Sequence, residues 1–133
     1  MISVDTNILV RAFLEDDPAQ AQAAKKLMKS AAKRDQLFIS SYALLEFVWV
    51  LKVKKFSRKE IYEAIITLTD SPGVTIGQRE VVLSAAEKFY KGKADFADYM
   101  IFSEGERYGA RTLKTFDCAL LNESHHATLP EIN

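Results

Sequence analysis

Four carboxylates stand where apolar segments end or are interrupted: Asp5, Glu46, Asp98 and Asp117. Asp5 follows Met1-Ile2-Ser3-Val4 and Asp117 follows Leu113-Lys114-Thr115-Phe116, so both read as residues at the carboxyl ends of buried strands, where ligand sites collect in open α/β sheets. Glu46 interrupts the apolar run from Tyr42 to Leu51. A charge buried there costs roughly several kcal/mol unless something binds it. Asp95-Phe96-Ala97-Asp98 places two acids three residues apart, on one helix face, where their repulsion calls for a cation or a basic group nearby. Converging acids with no Cys or His among them suit a hard cation, Mg²⁺ or Mn²⁺.

The elements that must position these acids follow from periodicity and caps. Ile2 to Val4 is a short strand and residues 7–13 have helical apolar spacing. At Asp5-Thr6-Asn7 an Asp or Thr N-cap of a plain strand-to-helix turn is one reading, and it is compatible with a second in which Asp5 binds metal while Thr6 or Asn7 caps the helix. Asp17-Pro18 starts an amphipathic helix to Arg34, Leu37-Phe38-Ile39 is the second strand, and Ser40 or Ser41 caps a helix carrying Glu46 to about Lys54. Ser57-Arg58-Lys59-Glu60 is a capping box that opens a helix to about Thr69. Ser71-Pro72-Gly73 turns the chain into a third strand, Val74 to Ile76, followed by a helix from Glu80 to Tyr90 and a break at Gly92. The next helix runs from Ala94 to Tyr108 and ends at Gly109, and Arg111 to Thr115 is the fourth strand. Asp95 then lies in the first turn and Asp98 deeper, anchored by Met100 and Ile101, which makes Asp98 the better metal ligand. Strands separated by one or two helices indicate a mostly parallel sheet covered on both faces.

A length of 133 residues and 48% hydrophobic content predict a single domain over 1–133 with a substantial core. The formal net charge is zero, so any nucleic-acid binding must come from local patches such as Lys52-Lys54-Lys55-Arg58-Lys59. One cysteine excludes an internal disulfide. With the first strand starting at residue 2 and no long apolar run, the chain reads as cytoplasmic rather than membrane-spanning. Cys118 reads as structural, His125-His126 as exposed and incidental, and the aromatics Phe47, Trp49, Phe56 and Tyr62 as mostly core.

Val4-Asp5-Thr6-Asn7, Leu44-Leu45-Glu46, Asp95-Phe96-Ala97-Asp98-Tyr99-Met100-Ile101 and Thr115-Phe116-Asp117, in this order and spacing, resemble the four acidic motifs of PIN-domain proteins of the VapC toxin type. The resemblance runs from residue 1 to about residue 121. It implies a three-layer α/β/α domain with a four- or five-stranded parallel sheet, and a Mg²⁺- or Mn²⁺-dependent endoribonuclease. It also implies a homodimer and a cognate VapB-type antitoxin that holds the enzyme inactive. Residue by residue it implies Asp5, Glu46, Asp98 and Asp117 as the metal-binding and catalytic acids. Thr6, Asn7 and Thr115 are then polar supports, and Asp95 is a supporting extra acid.

Two rival functions share parts of this pattern. A receiver-like Mg²⁺-binding regulatory domain needs paired acids after its first strand and a phosphorylated Asp after a central one. The chain offers Asp5-Thr6, and no Asp follows Leu37-Phe38-Ile39. A non-catalytic PIN-fold RNA-binding protein is disfavoured by retention of all four acids.

Overall fold

The computed structural model describes residues 1–131, in two compact units that meet in sequence between Arg79 and Glu80. The first contains β1 (Ile2–Val4), α1 (Thr6–Leu14), α2 (Pro18–Lys33), β2 (Leu37–Ile39), α3 (Ser41–Val53), α4 (Arg58–Asp70) and β3 (Val74–Ile76). β1, β2 and β3 pair in that order and all in parallel, with Ile2 opposite Leu37 and Leu37 opposite Val74. Parallel neighbours need long crossovers, and each is supplied by a pair of helices. The central strand is the most buried, with Leu37 and Ile39 almost wholly withdrawn from solvent. Leu9, Leu44, Phe47, Leu51, Ile61 and Ile65 are buried with them, and the Phe13 ring stands edge-on to Phe47 at 5.6 Å.

Several boundaries carry the caps that the sequence announces. Asp17 accepts the Gln20 N–H with Pro18 opening α2, and Ser57 and Glu60 close a reciprocal capping box on α4. Gly73 has φ +78°, and a β-carbon there would overlap the Ala32 carbonyl oxygen, so the turn into β3 requires glycine on two counts.

The second unit holds α5 (Arg79–Lys91, save its first residue), α6 (Phe96–Arg107), β4 (Leu113–Lys114), α7 (Cys118–Glu123) and β5 (Ala127–Thr128). β4 and β5 are parallel, Leu113 opposite Ala127. Among the described residues five parallel strands thus pair as three and two, and helices alternate with them along the sequence, in keeping with the α/β/α class. α7 and β5 lie beyond the last strand that the sequence predicts, and β4 is shorter than expected. Lys88 joins α5 to α6, its ammonium reaching Ser84 and Ser103 at 3.0 Å and Glu106 at 2.6 Å. Phe89 and Phe96 stack edge-on at 6.0 Å.

Candidate functional site

Asp5 directly follows β1 and caps α1 itself, its Oδ1 accepting the Ile8 N–H at 3.1 Å. Of the two capping readings the sequence allows, the Asp5 cap is the one found, and neither Thr6 nor Asn7 takes that task. One oxygen of the carboxylate thus completes the helix. The Thr6 hydroxyl instead lies 3.2 Å from Glu46 Oε2 and 3.4 Å from the Ala43 carbonyl oxygen. A hydroxyl has one proton, and the nearer, charged acceptor has the stronger claim on it.

Glu46 is exposed, not buried. α3 packs through Ala43, Leu44, Phe47, Val48 and Leu51, while Tyr42, Glu46, Trp49 and Val53 recur along its open face at helical spacing. Trp49 is 66% exposed, which also removes it from the expected core. No desolvation penalty burdens Glu46, so the case for its function passes from burial to placement. It lines, with Asp5, Thr6, Asn7 and Ser40, an open cavity of about 360 Å³. That cavity sits beyond the carboxyl ends of the neighbouring strands β1 and β2, where the unpaired backbone groups and helix starts of a parallel sheet gather.

In the second unit Asp95 is the N-cap of α6 and Asp98 lies in its first turn. The Asp95 N–H donates to Asp98 Oδ2 at 3.3 Å, one arm of a capping box between the two acids. Asp98 thus lies one turn deeper along the helix than Asp95, although it is in the first turn and Asp95 stands just outside the helix. Exposure separates them in the same sense, because Asp98 is half-buried and Asp95 is open. Met100 is buried beside them as expected, whereas Ile101 is 60% exposed. Asp117 caps α7 through Oδ1, which accepts the Leu120 N–H at 2.9 Å, and its own N–H donates to Thr115 Oγ1 at 3.0 Å. The Thr115 contact is thus to the backbone of Asp117, not to its carboxylate.

The structure thus brings Asp5, Thr6, Asn7 and Glu46 to one cavity, joins Asp95 to Asp98, and joins Thr115 to Asp117. Among the described residues no three His, Cys, Asp or Glu side chains form a group able to hold a metal ion. Donor chemistry nevertheless fits a hard cation, because every candidate donor is a carboxylate, hydroxyl or amide oxygen and two carboxylates share the first-unit cavity. Cys118 and both histidines are exposed and none of them joins these groupings. Sequence reasoning passed over Tyr99 and Glu123, which tie the start of α6 to α7. Tyr99 carried one signal, an aromatic directly after Asp98 on the packed face; Glu123 carried none.

Among the described residues no helix is long and apolar enough to cross a membrane. No curated protein and no solved structure matches the chain significantly. The PIN domain family matches residues 2–122, a span that begins at β1, takes in all four acids and ends within α7. The chain belongs to the PIN domain family, which is generally a metal-dependent nuclease domain.

Proposed function

We propose that this protein is a Mg²⁺- or Mn²⁺-dependent endoribonuclease and the toxin of a toxin–antitoxin pair. The observation that carries the catalytic part is the first-unit cavity, where Asp5 and Glu46 share an oxygen-lined opening and Thr6 orients Glu46. Asp5 and Glu46 from the first unit, and Asp98 and Asp117 from the second, are the acids assigned to metal binding and catalysis. Thr6, Asn7, Asp95 and Thr115 support them.

Hydrolysis of a phosphodiester forms a bond from phosphorus to a water oxygen and breaks the bond to the leaving 3′ oxygen, giving 5′-phosphate and 3′-hydroxyl ends. When bound, the divalent ion supplies a water acidic enough to attack near neutral pH and neutralises charge on the phosphoryl oxygens. Asp5 in the first unit, and Asp98 and Asp117 in the second, would serve as metal ligands. Glu46, exposed and aligned by the Thr6 hydroxyl, orients the attacking water and receives its proton. The leaving oxygen takes a proton from solvent.

The partner part of the proposal rests on the motif resemblance together with the open face of α3. Tyr42, Trp49 and Val53 lie on the same face as Glu46 and are 74%, 66% and 56% exposed. An amphipathic segment of a VapB-type antitoxin covers them, its apolar anchors supplying affinity and a basic side chain approaching the acids. A homodimer is part of the same proposal.

The deciding experiment incubates purified, antitoxin-free protein with total RNA and Mn²⁺, with and without chelator, and maps the ends. Chelator-sensitive cleavage leaving 5′-phosphates is expected. RNA left intact at every Mn²⁺ concentration overturns the proposal.

A further inference from the structure

We propose that Gly92, Tyr99 and Glu123 form a clamp that sets the acid-bearing start of α6 against α7, so that Tyr99 and Glu123 are positioning residues for Asp95, Asp98 and Asp117; this rests on the metal-dependent reading above. The Tyr99 ring is buried and its hydroxyl is the centre of the device. It accepts the Ala94 N–H at 3.0 Å and donates to Glu123 Oε2 at 2.5 Å, while Glu123 Oε1 accepts the Lys93 N–H at 2.6 Å. Two of these three bonds involve the carboxylate, which makes them stronger than bonds between neutral groups.

Placement gives the clamp its consequence. The segment from Ala94 to Tyr99 contains both Asp95 and Asp98, and the tyrosine side chain bridges its two ends. Glu123 is the last residue of α7, and Asp117 caps the first turn of that same helix. Six helical residues span about 9 Å as a stiff rod, so fixing Glu123 fixes Asp117 at the other end. Gly92 completes the fit. A β-carbon there would overlap the Tyr99 hydroxyl and crowd both oxygens of Glu123, although the backbone at Gly92 has no positive φ. The glycine is needed for close approach, not for conformation. A simple tie for stability predicts no link to the metal; a positioning device predicts one, because losing a group that orients metal ligands typically costs about 10–100-fold in metal affinity.

The test uses the full chain with Tyr99→Phe, Glu123→Gln and Glu123→Ala. Lys88→Met is the control, since it breaks the contacts with Ser84, Ser103 and Glu106 elsewhere in the same unit. Mn²⁺ affinity is measured by electron paramagnetic resonance of the free ion, amide exchange is followed at Lys93 and Ala94, and cleavage is followed against Mn²⁺. Tyr99→Phe should accelerate exchange at both amides and weaken Mn²⁺ binding about tenfold, with cleavage at saturating Mn²⁺ close to wild type. Glu123→Gln, which keeps one acceptor oxygen, should fall between wild type and Glu123→Ala, and it decides the matter if Tyr99→Phe does not fold. Unchanged Mn²⁺ affinity in the folded clamp variants, or an equal loss in Lys88→Met, overturns the clamp. A wild type that binds Mn²⁺ yet cuts no RNA refutes the nuclease reading alone, and the affinity comparison still judges the clamp. A wild type that binds no Mn²⁺ overturns both.

Discussion

Replacing Asp5 by Asn and by Ala separates the two tasks that one carboxylate performs. Its Oδ1 holds the Ile8 N–H at 3.1 Å, and Asn keeps an oxygen in that position while Ala keeps none. Loss of an N-cap to Ala costs about 1 kcal/mol, whereas Asn caps as well as Asp. At about 2.1 cal/mol/K per residue, 133 residues carry roughly 280 cal/mol/K of unfolding entropy, so ~1 kcal/mol lowers Tm by roughly 3.5 °C. Asp5→Ala should show that shift in the metal-free protein. Asp5→Asn should stay at the wild-type Tm or rise slightly, because it removes a like charge facing Glu46 in the same cavity. Added Mn²⁺ at about a hundred times its Kd should stabilise the wild type by about 2.7 kcal/mol and neither variant to a comparable degree. Cleavage in both should fall by more than about 100-fold, the upper range seen for groups that merely orient a ligand. Calorimetric scans with and without Mn²⁺, alongside an RNA cleavage assay, read all of these. Wild-type cleavage by folded Asp5→Asn removes Asp5 from the metal site, and an equal Tm loss in Asn and Ala refutes the capping argument.

Phe47 and Trp49 look alike in the sequence, yet Phe47 is 1% exposed and Trp49 66% exposed. Phe47→Ala should cost about 3–5 kcal/mol in urea unfolding, and Trp49→Ala under about 0.5 kcal/mol. Gly73→Ala meets both a left-handed backbone and the Ala32 carbonyl, so its urea midpoint should report a loss of at least about 2 kcal/mol. Hydrogen bonds from the Ser57 backbone and side chain hold the Glu60 carboxyl below its usual 4.5. A depressed folded pKa means that this stabilisation is present above 4.5 and disappears as pH falls through the lower folded value. Glu60→Gln should therefore flatten the stability-versus-pH curve in that acid window, and an unchanged slope tells against the capping box as its cause.

Local chemistry alone settled a good deal of this protein. Asp17-Pro18, Ser57 with Glu60, and Gly109 mark helix ends because capping is a transaction between residues a few positions apart, and the structure has α2, α4 and α6 begin or end there. Strands β1 to β3 were legible for a similar reason, as short apolar runs between breakers. The four acids were legible as a set of types in an order. Their individual circumstances were not. α3 is apolar on nearly every side, so no stripe in the sequence fixes its rotation, and only packing through Leu44, Phe47 and Leu51 turned Glu46 and Trp49 outward. Asp95 sits just before its helix rather than in the first turn, because α6 begins at Phe96, with the Ala94 N–H held by the Tyr99 hydroxyl. β5 and α7 left no pattern long enough to read. Each is six residues or fewer, and β5 exists because its backbone meets β4, with the Leu113 N–H on the His126 carbonyl and the Thr115 N–H on that of Thr128. Periodicity and caps are written in neighbouring residues; helix rotation and strand pairing are set by groups distant in sequence, and so only the tertiary structure decided them.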